Sequence, residues 1–323
     1  MNGIETRETE TKPSQPMKAS PEERIGINER RRRRKRARKI KNAIVISVCS
    51  VIIIACIVLA ILVLSDNPDF QTYNENPPEE RIEQTEADIY ASFPYYKEEY
   101  KSRYESYAIL NPQMAPADIV WMVNANQDKP KYEYDIPVSG YDDVRIIVNK
   151  YYKVPDDYKP SDLVSVDGQL MRKEAADAFL KMRGDAATSG LKIRAVSGYR
   201  TVSYQRGLYN RYLSGDSKEN VDRYSARPGY SEHHTGLAVD VFGSKDGLRQ
   251  FETTPEYPWV RDNCYKYGYI IRYLVETEHI TGYESEPWHL RYVGARVSTD
   301  MKEKGINNYE EYYAKYIEAN QFV

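Results

Sequence analysis

The sequence has 323 residues, which is enough for one large domain or for two small ones. Its net charge of −2 hides an uneven distribution, since residues 1–64 contain 14 Lys and Arg but only 6 Asp and Glu. The remaining residues contain 32 Lys and Arg and 42 Asp and Glu. So acidic a body excludes nucleic acid as the main partner, because phosphate binding requires a basic surface.

An uncharged apolar segment follows the basic N-terminal region. It extends from Ala43 to Leu64 and is rich in Ile, Val, Leu and Ala. At about 1.5 Å per residue a helix of this length is roughly 33 Å long, which matches a bilayer core of about 30 Å. A cleaved signal peptide is the alternative, but its apolar region is usually about 7–15 residues long and precedes a small-residue cleavage site. The length therefore predicts a retained transmembrane helix over 43–64.

The orientation of this predicted helix follows from the basic residues ahead of it. Arg30 to Arg36 form an unbroken basic run, and Arg38 and Lys39 add to it. Basic residues stay on the cytoplasmic side, so the N-terminus is predicted to be inside and the chain after Leu64 outside. A nuclear-localisation or nucleic-acid patch is the alternative interpretation of such a run. Its position beside an apolar segment favours the membrane interpretation.

Composition divides the rest of the chain into regions. Residues 1–42 are polar and charged, which is typical of a disordered cytoplasmic tail. Residues 65–110 begin with prolines and glutamates and are interpreted as a stalk, and 111–323 as a folded extracellular domain. Cys264 is the only cysteine after the apolar segment, which excludes a disulfide within that domain and a cysteine-rich zinc finger.

The periodicity of apolar residues predicts helices and strands that alternate irregularly. Helical spacing indicates helices, and strict alternation indicates strands. The predicted fold class is α+β, with a small mixed or antiparallel sheet and flanking helices, preceded by the one transmembrane helix. The predicted helices are 90–109, 118–123, 172–187, 204–213, 259–267 and 309–319, and the predicted strands are 144–148, 191–196, 237–242, 269–273 and 288–293.

Two of the four histidines stand in sequence contexts that suggest a metal site. The first context is Ser-Glu-His-His-Thr-Gly-Leu-Ala-Val-Asp (231–240), in which His233 precedes a predicted strand and Asp240 lies near its end. Strand side chains alternate between faces, so Val239 and Val241 are expected in the core and Asp240 on the other face. A buried carboxylate there requires a partner charge or a metal, unless that face is an exposed edge.

The second context is Glu-Pro-Trp-His (286–289), which places a carboxylate and an imidazole three residues apart. Catalytic zinc typically takes three protein ligands and leaves one position for water, which a nearby carboxylate can deprotonate. We therefore predict that His233, Asp240 and His289 bind one zinc ion. Glu286 is then the general base. The helical H-E-x-x-H pattern of many zinc peptidases is absent.

Several neighbouring residues are weaker candidates. His234 could exchange roles with His233, and Glu232 is expected to cap the turn or to form a salt bridge. His279 is predicted to lie in a polar loop and is expected at the surface. Arg200, in Ser-Gly-Tyr-Arg directly after a predicted strand, suits the binding of a carboxylate or of a developing oxyanion. An ordinary surface arginine is the alternative.

Three motifs together resemble the VanY-type zinc D-Ala-D-Ala carboxypeptidases, a group that includes D,D-dipeptidases and L,D-carboxypeptidases. They are Ser-Gly-Tyr-Arg (197–200), Ser-Glu-His-x-Thr-Gly-Leu-Ala-Val-Asp (231–240) and Glu-Pro-Trp-His-Leu-Arg-Tyr-Val-Gly (286–294). The resemblance covers residues 144–297 and implies a compact α+β domain with a central antiparallel sheet. It also implies a zinc metallopeptidase that acts outside the cell on the stem peptides of peptidoglycan.

The resemblance implies a role for individual residues as well. Its zinc ligands match the three predicted here, and its general base matches Glu286. Arg200 matches the arginine that polarises the scissile carbonyl and stabilises the oxyanion. Positions that hold the end of the substrate match Gln205, Ser231 and Tyr273. The implied reaction is the removal of the C-terminal D-Ala by a zinc-activated water.

Two kinds of alternative function stay open at this point. The first is another activity on the same fold: L,D-carboxypeptidase, D,D-dipeptidase or stem-peptide endopeptidase, since the loops that set specificity carry no readable motif. The second is a non-catalytic wall-binding module, which would be expected to lose a ligand or the base, and none is lost. Every catalytic interpretation requires that two imidazoles and one aspartate, far apart in the chain, converge on one divalent ion.

Overall fold

The computed structural model describes residues 89–138 and 140–320. They form an α+β fold, as predicted, with small sheets and many short helices. The predicted cytoplasmic tail and the predicted transmembrane helix over 43–64 lie outside the described residues. In chain order the strands are β1 (Ile136–Pro137), β2 (Tyr152–Lys153), β3 (Leu163–Val166), β4 (Gln169–Arg172), β5 (Arg194–Ser197), β6 (Ala238–Phe242), β7 (Tyr269–Tyr273) and β8 (Glu286–Tyr292).

The helices are spread along the chain between and after the strands. Helix α3 shows why the periodicity was informative, because Ala175, Phe179, Met182 and Ala186 lie on one face and are fully buried. In chain order the helices are α1 (Lys101–Leu110), α2 (Pro116–Asn124), α3 (Lys173–Thr188), α4 (Val202–Leu213), α5 (Lys218–Tyr224), α6 (Glu256–Asn263), α7 (Glu278–Thr281), α8 (Ala295–Lys304) and α9 (Tyr309–Tyr312), which continues as a π-helical turn, Tyr313–Ile317.

The largest sheet has four strands in the order β5-β6-β8-β7, and all of its pairings are antiparallel. Val239 and Val241 of β6 are fully buried in the main core, together with Leu290 of β8 and Phe179 of α3. The central antiparallel sheet is thus confirmed, and Asp240 lies on the face opposite this core, where the predicted site residues gather.

A hairpin that periodicity did not predict precedes α3. Strands β3 and β4 pair in antiparallel register around Asp167 and Gly168, which both have positive φ. An Asp-Gly pair is one of the strongest signals of a tight hairpin turn, because both central positions require positive φ. The hairpin packs beside β5 and therefore helps to place the loop that carries Arg200.

Residues 89–110, which belong to the predicted stalk over 65–110, are folded. Helix α1 packs on α2, and Tyr90, Tyr95 and Tyr104 are buried in a cluster with Ile119 and other residues of α2. The tyrosines explain the difference, since a ring can bury its apolar face while its hydroxyl finds a partner. The hydroxyl of Tyr104, for example, donates to Asn124 Oδ1 at 2.7 Å. The folded part therefore begins before the predicted boundary at residue 110.

The predicted strand at 144–148 is wrong. Its apolar residues are buried, but on different sides: Ile146 and Val148 face the main core, and Ile147 packs against α8 and α9. The backbone carbonyls of Val144 and Ile146 accept hydrogen bonds from Nη2 of Arg291 instead of from a neighbouring strand. The apolar run is buried, but its backbone carbonyls pair with a buried side chain and not with another strand.

Among residues 89–138 and 140–320, no helix is both long and apolar enough to span a bilayer.

Candidate metal centre

Strand register brings Asp240 and His289 together. They are direct partners across the antiparallel pair of β6 and β8. Directly opposed residues project from the same face, with Cβ atoms about 5 Å apart. On its other side, Asp240 is the partner of Ser197 in β5. Three residues that are distant in the chain therefore meet on one face of the sheet.

His233 reaches the same place from a short 3-10 turn, Glu232–Thr235, ahead of β6. The turn ends at Gly236, which has φ +67°. A Cβ at Gly236 would also lie 2.9 Å from Cδ2 of Leu163, so a glycine is required for the chain to turn here and enter the strand. The glycine of this motif thus sets the entry of the chain into β6 directly after His233.

The loop after β5 orients the His233 ring. Nδ1 of His233 lies 2.8 Å from the carbonyl oxygen of Gly198. A carbonyl only accepts, so Nδ1 must donate, and Nε2 is left with its lone pair. A Cβ at Gly198 would lie 2.3 Å from the carbonyl oxygen of Leu170, so only glycine allows this loop to pass so close to β4. The glycine of the Ser-Gly-Tyr-Arg motif thereby sets the ring position of His233.

The structure brings the three predicted ligands to one point. One nitrogen or oxygen from each of His233, Asp240 and His289 lies within 4.8 Å of the others, and all three residues are buried. Nε2 of His233 is 3.3 Å from Oδ2 of Asp240, and Nδ1 of His289 is 3.1 Å from Oδ1. Two ligands of a tetrahedral zinc ion are about 3.3 Å apart when the bonds are about 2.0–2.1 Å long. These separations fit such an ion.

The electrostatics of the cluster also fit a cation. Burial lowers the pKa of His233 to about 4, so this ring is neutral and can offer a lone pair. Burial also disfavours the charged form of His289, but hydrogen bonds to Asp240 and Glu232 outweigh it and raise its pKa to about 9. The pKa of Asp240 is held well below its usual value despite burial, chiefly by His233. A carboxylate faced by imidazole nitrogens attracts a proton or a metal ion.

Glu286 faces the same cavity as His289. Residues three apart in a regular strand point to opposite faces. Between these two the pairing of β7 and β8 changes register, because Ile271 is opposite Leu290 but Tyr273 is opposite Glu286. Such irregularities often redirect a side chain beside an active site. As a result Oε2 of Glu286 lies 3.8 Å from Nδ1 of His289.

The environment of Glu286 suits proton transfer. Burial raises the pKa of its carboxyl to about 7 and Asp240 adds to the rise, although His289 and Arg200 oppose it. A catalytic acid or base is most effective when its pKa lies near the working pH. Such a group can hold or release a proton at neutral pH.

Arg200 borders the cluster and is not an ordinary surface arginine. Its Nη2 donates to Oδ2 of Asp240 at 2.9 Å and to Oγ of Ser197 at 2.7 Å. Its Nη1 donates to Oε1 of Gln205 at 3.5 Å. The Arg200 side chain is 19% exposed and lines the cavity, so its guanidinium can bind an oxygen atom there.

A cavity of about 240 Å³ lies in front of the cluster, and the three residues expected to hold substrate line it. The ring of Tyr273 lies 5.0 Å from the His289 ring. Gln205 is buried, and its Nε2 donates to the carbonyl of Ala226 at 2.9 Å. Oγ of Ser231 accepts weakly from the backbone N–H of His233 at 3.4 Å. Gln205, Ser231 and Tyr273 therefore form the wall of the cavity beside the cluster.

The remaining histidines are accounted for. His234 is buried with Nδ1 2.7 Å from the carbonyl of Arg200, while its Nε2 accepts from the N–H of Gly229 at 3.2 Å. Both of its ring nitrogens are therefore engaged, and an exchange of roles with His233 is unsupported. His279 is exposed, as expected, although it lies in the short helix α7 and not in a loop.

Sequence reasoning missed the contact between Glu232 and His289. Glu232 was expected to cap the turn or to form a salt bridge, and it forms salt bridges with Arg272 and Arg291. Its Oε2 also lies 3.2 Å from Nε2 of His289. The sequence did contain a sign of this cluster, because Arg272 and Arg291 both interrupt apolar strands. A buried charge in such a strand requires a partner of opposite charge.

Two imidazoles and one aspartate at a shared point, with a further carboxylate beside them, could hold one metal ion, an arrangement typical of the mononuclear metal centres of hydrolases. The comparison with protein families agrees, because the model described as VanY: D-alanyl-D-alanine carboxypeptidase matches residues 168–295. The chain belongs to this family.

Individual relatives show the same similarity. YodJ of Bacillus subtilis (strain 168), provisionally named a carboxypeptidase, is 40% identical over 191 residues, which cover 55% of this chain and 70% of that protein. A D-alanyl-D-alanine carboxypeptidase of Enterococcus faecium is 35% identical over 184 residues, which cover 52% of this chain and 57% of that protein. The solved structure of the LdcB LD-carboxypeptidase matches with a TM-score of 0.53 and 37% identity, over 58% of this chain and 92% of that one.

Proposed function

We propose that this protein is a zinc-dependent carboxypeptidase that removes the C-terminal D-alanine from peptidoglycan stem peptides. One observation carries the proposal: His233, Asp240 and His289 present their ligand atoms within 4.8 Å of one another, beside the carboxylate of Glu286. Family membership agrees with this activity. The three residues would hold one zinc ion, which supplies a Lewis acid that polarises the scissile carbonyl and acidifies water.

Glu286 is the group that moves the proton in this proposal. Its carboxylate takes a proton from the attacking water as the water adds to the carbonyl carbon before the last residue. It then gives that proton to the leaving amine as the peptide bond breaks. A pKa raised to about 7 by burial suits both steps, because the same group must act first as a base and then as an acid.

Arg200 is the group that stabilises negative charge on the former carbonyl oxygen. A guanidinium is always charged and donates through a planar fork, so it is pre-organised for an oxyanion. Ser197 and Gln205 hold this fork at the edge of the cavity through the hydrogen bonds described above. Ser231 and Tyr273 lie on the cavity wall, where they can bind the end of the substrate.

A second candidate activity is L,D-carboxypeptidase, because the chain is also similar to the LdcB LD-carboxypeptidase. The experiment is to incubate the purified protein with defined stem pentapeptide and tetrapeptide and to identify the released product. D-Ala released from the pentapeptide alone supports the proposal, and release from the tetrapeptide alone favours the L,D activity. Release of a dipeptide or of an internal fragment would indicate a D,D-dipeptidase or an endopeptidase.

Metal content separates an enzyme from a wall-binding module. We expect about one zinc per chain by elemental analysis, loss of activity with a chelator, and recovery when zinc is added back. Asp240→Asn should lose the zinc, whereas His279→Gln, which changes an exposed histidine, should keep it. A folded wild-type protein that contains no zinc and cleaves no stem peptide would favour the non-catalytic alternative.

We also propose that residues 43–64 anchor the protein in the cell membrane, with the N-terminus in the cytoplasm and the zinc peptidase domain outside. The uncharged length of the segment and the basic run ahead of it support this topology. The full-length chain should stay in the membrane fraction after carbonate extraction, and external protease should reach only the part after residue 64. A shortened chain in the soluble fraction would instead indicate a cleaved signal peptide.

A further inference from the structure

Behind the proposed zinc site lies a cluster of four fully buried charged side chains, which we call the buried ion cluster. Its members are Glu232, Arg272, Arg291 and Glu310, each at most 1% exposed. Oε1 of Glu232 accepts from Nε of Arg272 at 2.8 Å and from Nη1 of Arg291 at 2.9 Å. Its Oε2 lies 3.2 Å from Nε2 of His289. One carboxylate thus joins two arginines to a proposed zinc ligand.

The charges of this cluster balance. Two arginines face two glutamates, and Arg272 donates to both oxygens of Glu310, at 2.6 and 3.0 Å. Bidentate pairs of this kind are strong and geometrically specific. A buried charge that loses its partner is left uncompensated, so each member depends on the others. With two guanidinium groups on one of its oxygens, Glu232 is an ionised carboxylate.

The ionised state of Glu232 determines how the His289 ring is protonated. An ionised carboxylate only accepts hydrogen bonds, so Nε2 of His289 must carry a hydrogen. Nδ1 is then the nitrogen with a lone pair available for a metal, and it is the atom that faces Asp240 at 3.1 Å. Carboxylates that accept from the outer nitrogen of a ligating histidine fix both its tautomer and its orientation.

The cluster reaches beyond the part of the chain that matches the family model. That match ends at residue 295, whereas Glu310 lies in α9. Oε1 of Glu310 also accepts from Nδ2 of Asn149 at 3.2 Å, which ties α9 to the segment before β2. The C-terminal helix therefore supplies a charge that holds Arg272, and through it Glu232.

We propose that Glu232 is a positioning residue that presents Nδ1 of His289 to the zinc ion, and that Glu310 of the C-terminal helix keeps it in place through Arg272. The inference rests on the proposed function, since it assigns the parts that support the same metal site. It makes α9 part of the metal centre rather than an appendage to the catalytic domain.

The test compares zinc affinity in Glu232→Gln, Glu310→Gln and wild type, measured by chelator competition on the full chain. Loss of an outer partner of a ligating histidine typically weakens metal binding about 10–100-fold. We expect that range for Glu232→Gln and a smaller loss for Glu310→Gln. Glu256→Gln is the matched control, because Glu256 is also buried but accepts from Ser244 and from the backbone of Lys192. It should keep wild-type affinity.

Nitrogen NMR of histidine-labelled, zinc-free protein gives a second readout. His289 should be the Nε2–H form, or doubly protonated, in wild type and should populate the Nδ1–H form in Glu232→Gln. If Glu232→Gln is folded and binds zinc as tightly as wild type, the positioning role is wrong while the proposed function survives. If wild type itself binds no zinc, the proposed function fails first. Should Glu232→Gln not fold, Glu310→Gln decides: an unchanged zinc affinity would overturn the proposal.

Discussion

Asp240 and His289 are direct partners across antiparallel strands, and Nδ1 of His289 lies 3.1 Å from Oδ1 of Asp240. These residues are separated by 49 positions in the chain. Their contact depends on the register between β6 and β8, because a slip of one residue would turn one of them to the core.

Glu286→Gln tests the proton-transfer role. The amide keeps the size of the side chain but cannot accept a proton, so the rate should fall by about 10²–10⁴-fold or more. Zinc content should not change, because Glu286 is not among the three predicted ligands. Release of D-Ala is the assay, and Glu276→Gln, at an exposed position, is the control. Full activity in Glu286→Gln would remove this residue from the mechanism.

Arg200→Lys tests the oxyanion role. Lysine keeps the positive charge but loses the planar fork that contacts both Ser197 and Asp240. The turnover number should fall by about 10²–10³-fold, the usual effect of removing one oxyanion donor, with zinc still bound. Arg206→Lys changes an exposed arginine and should have no effect. An equal loss in both variants would mean that the assay reports stability and not catalysis.

The burial of Lys150 should make the stability of the protein depend on pH. Burial lowers the pKa of its ammonium to about 7, with Lys131 adding to the effect. Between pH 7 and about 10.4 the unfolded chain holds a proton that the folded chain has lost. The free energy of unfolding therefore rises with pH in this window, by up to about 1.4 kcal/mol per pH unit.

Replacing this lysine should remove that dependence. The free energy of unfolding of wild type, minus that of Lys150→Met, should increase by about 2–3 kcal/mol from pH 7 to pH 9. Urea unfolding at each pH measures it. Lys192→Met, at an exposed position, should leave the slope as it is in wild type. A constant difference between wild type and Lys150→Met across this range would show that Lys150 stays charged when the protein folds.

Tyr104 tests whether residues 89–110 belong to the folded domain. The side chain is fully buried and its hydroxyl donates to Asn124. Tyr104→Ala should lower the free energy of unfolding by about 3–5 kcal/mol, as for other large aromatic residues in cores. Tyr204 is 62% exposed, so Tyr204→Ala should change stability by no more than about 0.5 kcal/mol. If both substitutions changed the free energy of unfolding by equally small amounts, residues 89–110 would belong to the stalk and not to the folded domain.

Local sequence patterns predicted the helices and strands whose own apolar spacing decides which of the two they form. Helix α3 and strand β7 agree with the predicted bounds to within one residue, because apolar spacing along each element is a local property. The segment 144–148 shows the limit of this reasoning. The backbone carbonyls of Val144 and Ile146 accept hydrogen bonds from Arg291, which lies 147 and 145 residues further along the chain. Local periodicity carries no information about so distant a partner.

The sequence by itself determined which residues could form the site: His233, Asp240, Glu286 and His289 are chemically unusual in their contexts, and a metal explains them together. Only the tertiary structure decided how they face one another. The register shift in β8 turns Glu286 toward His289, and the buried ion cluster sets the orientation of the His289 ring. Both depend on contacts between distant strands and on burial, where an unpaired charge is too costly to persist.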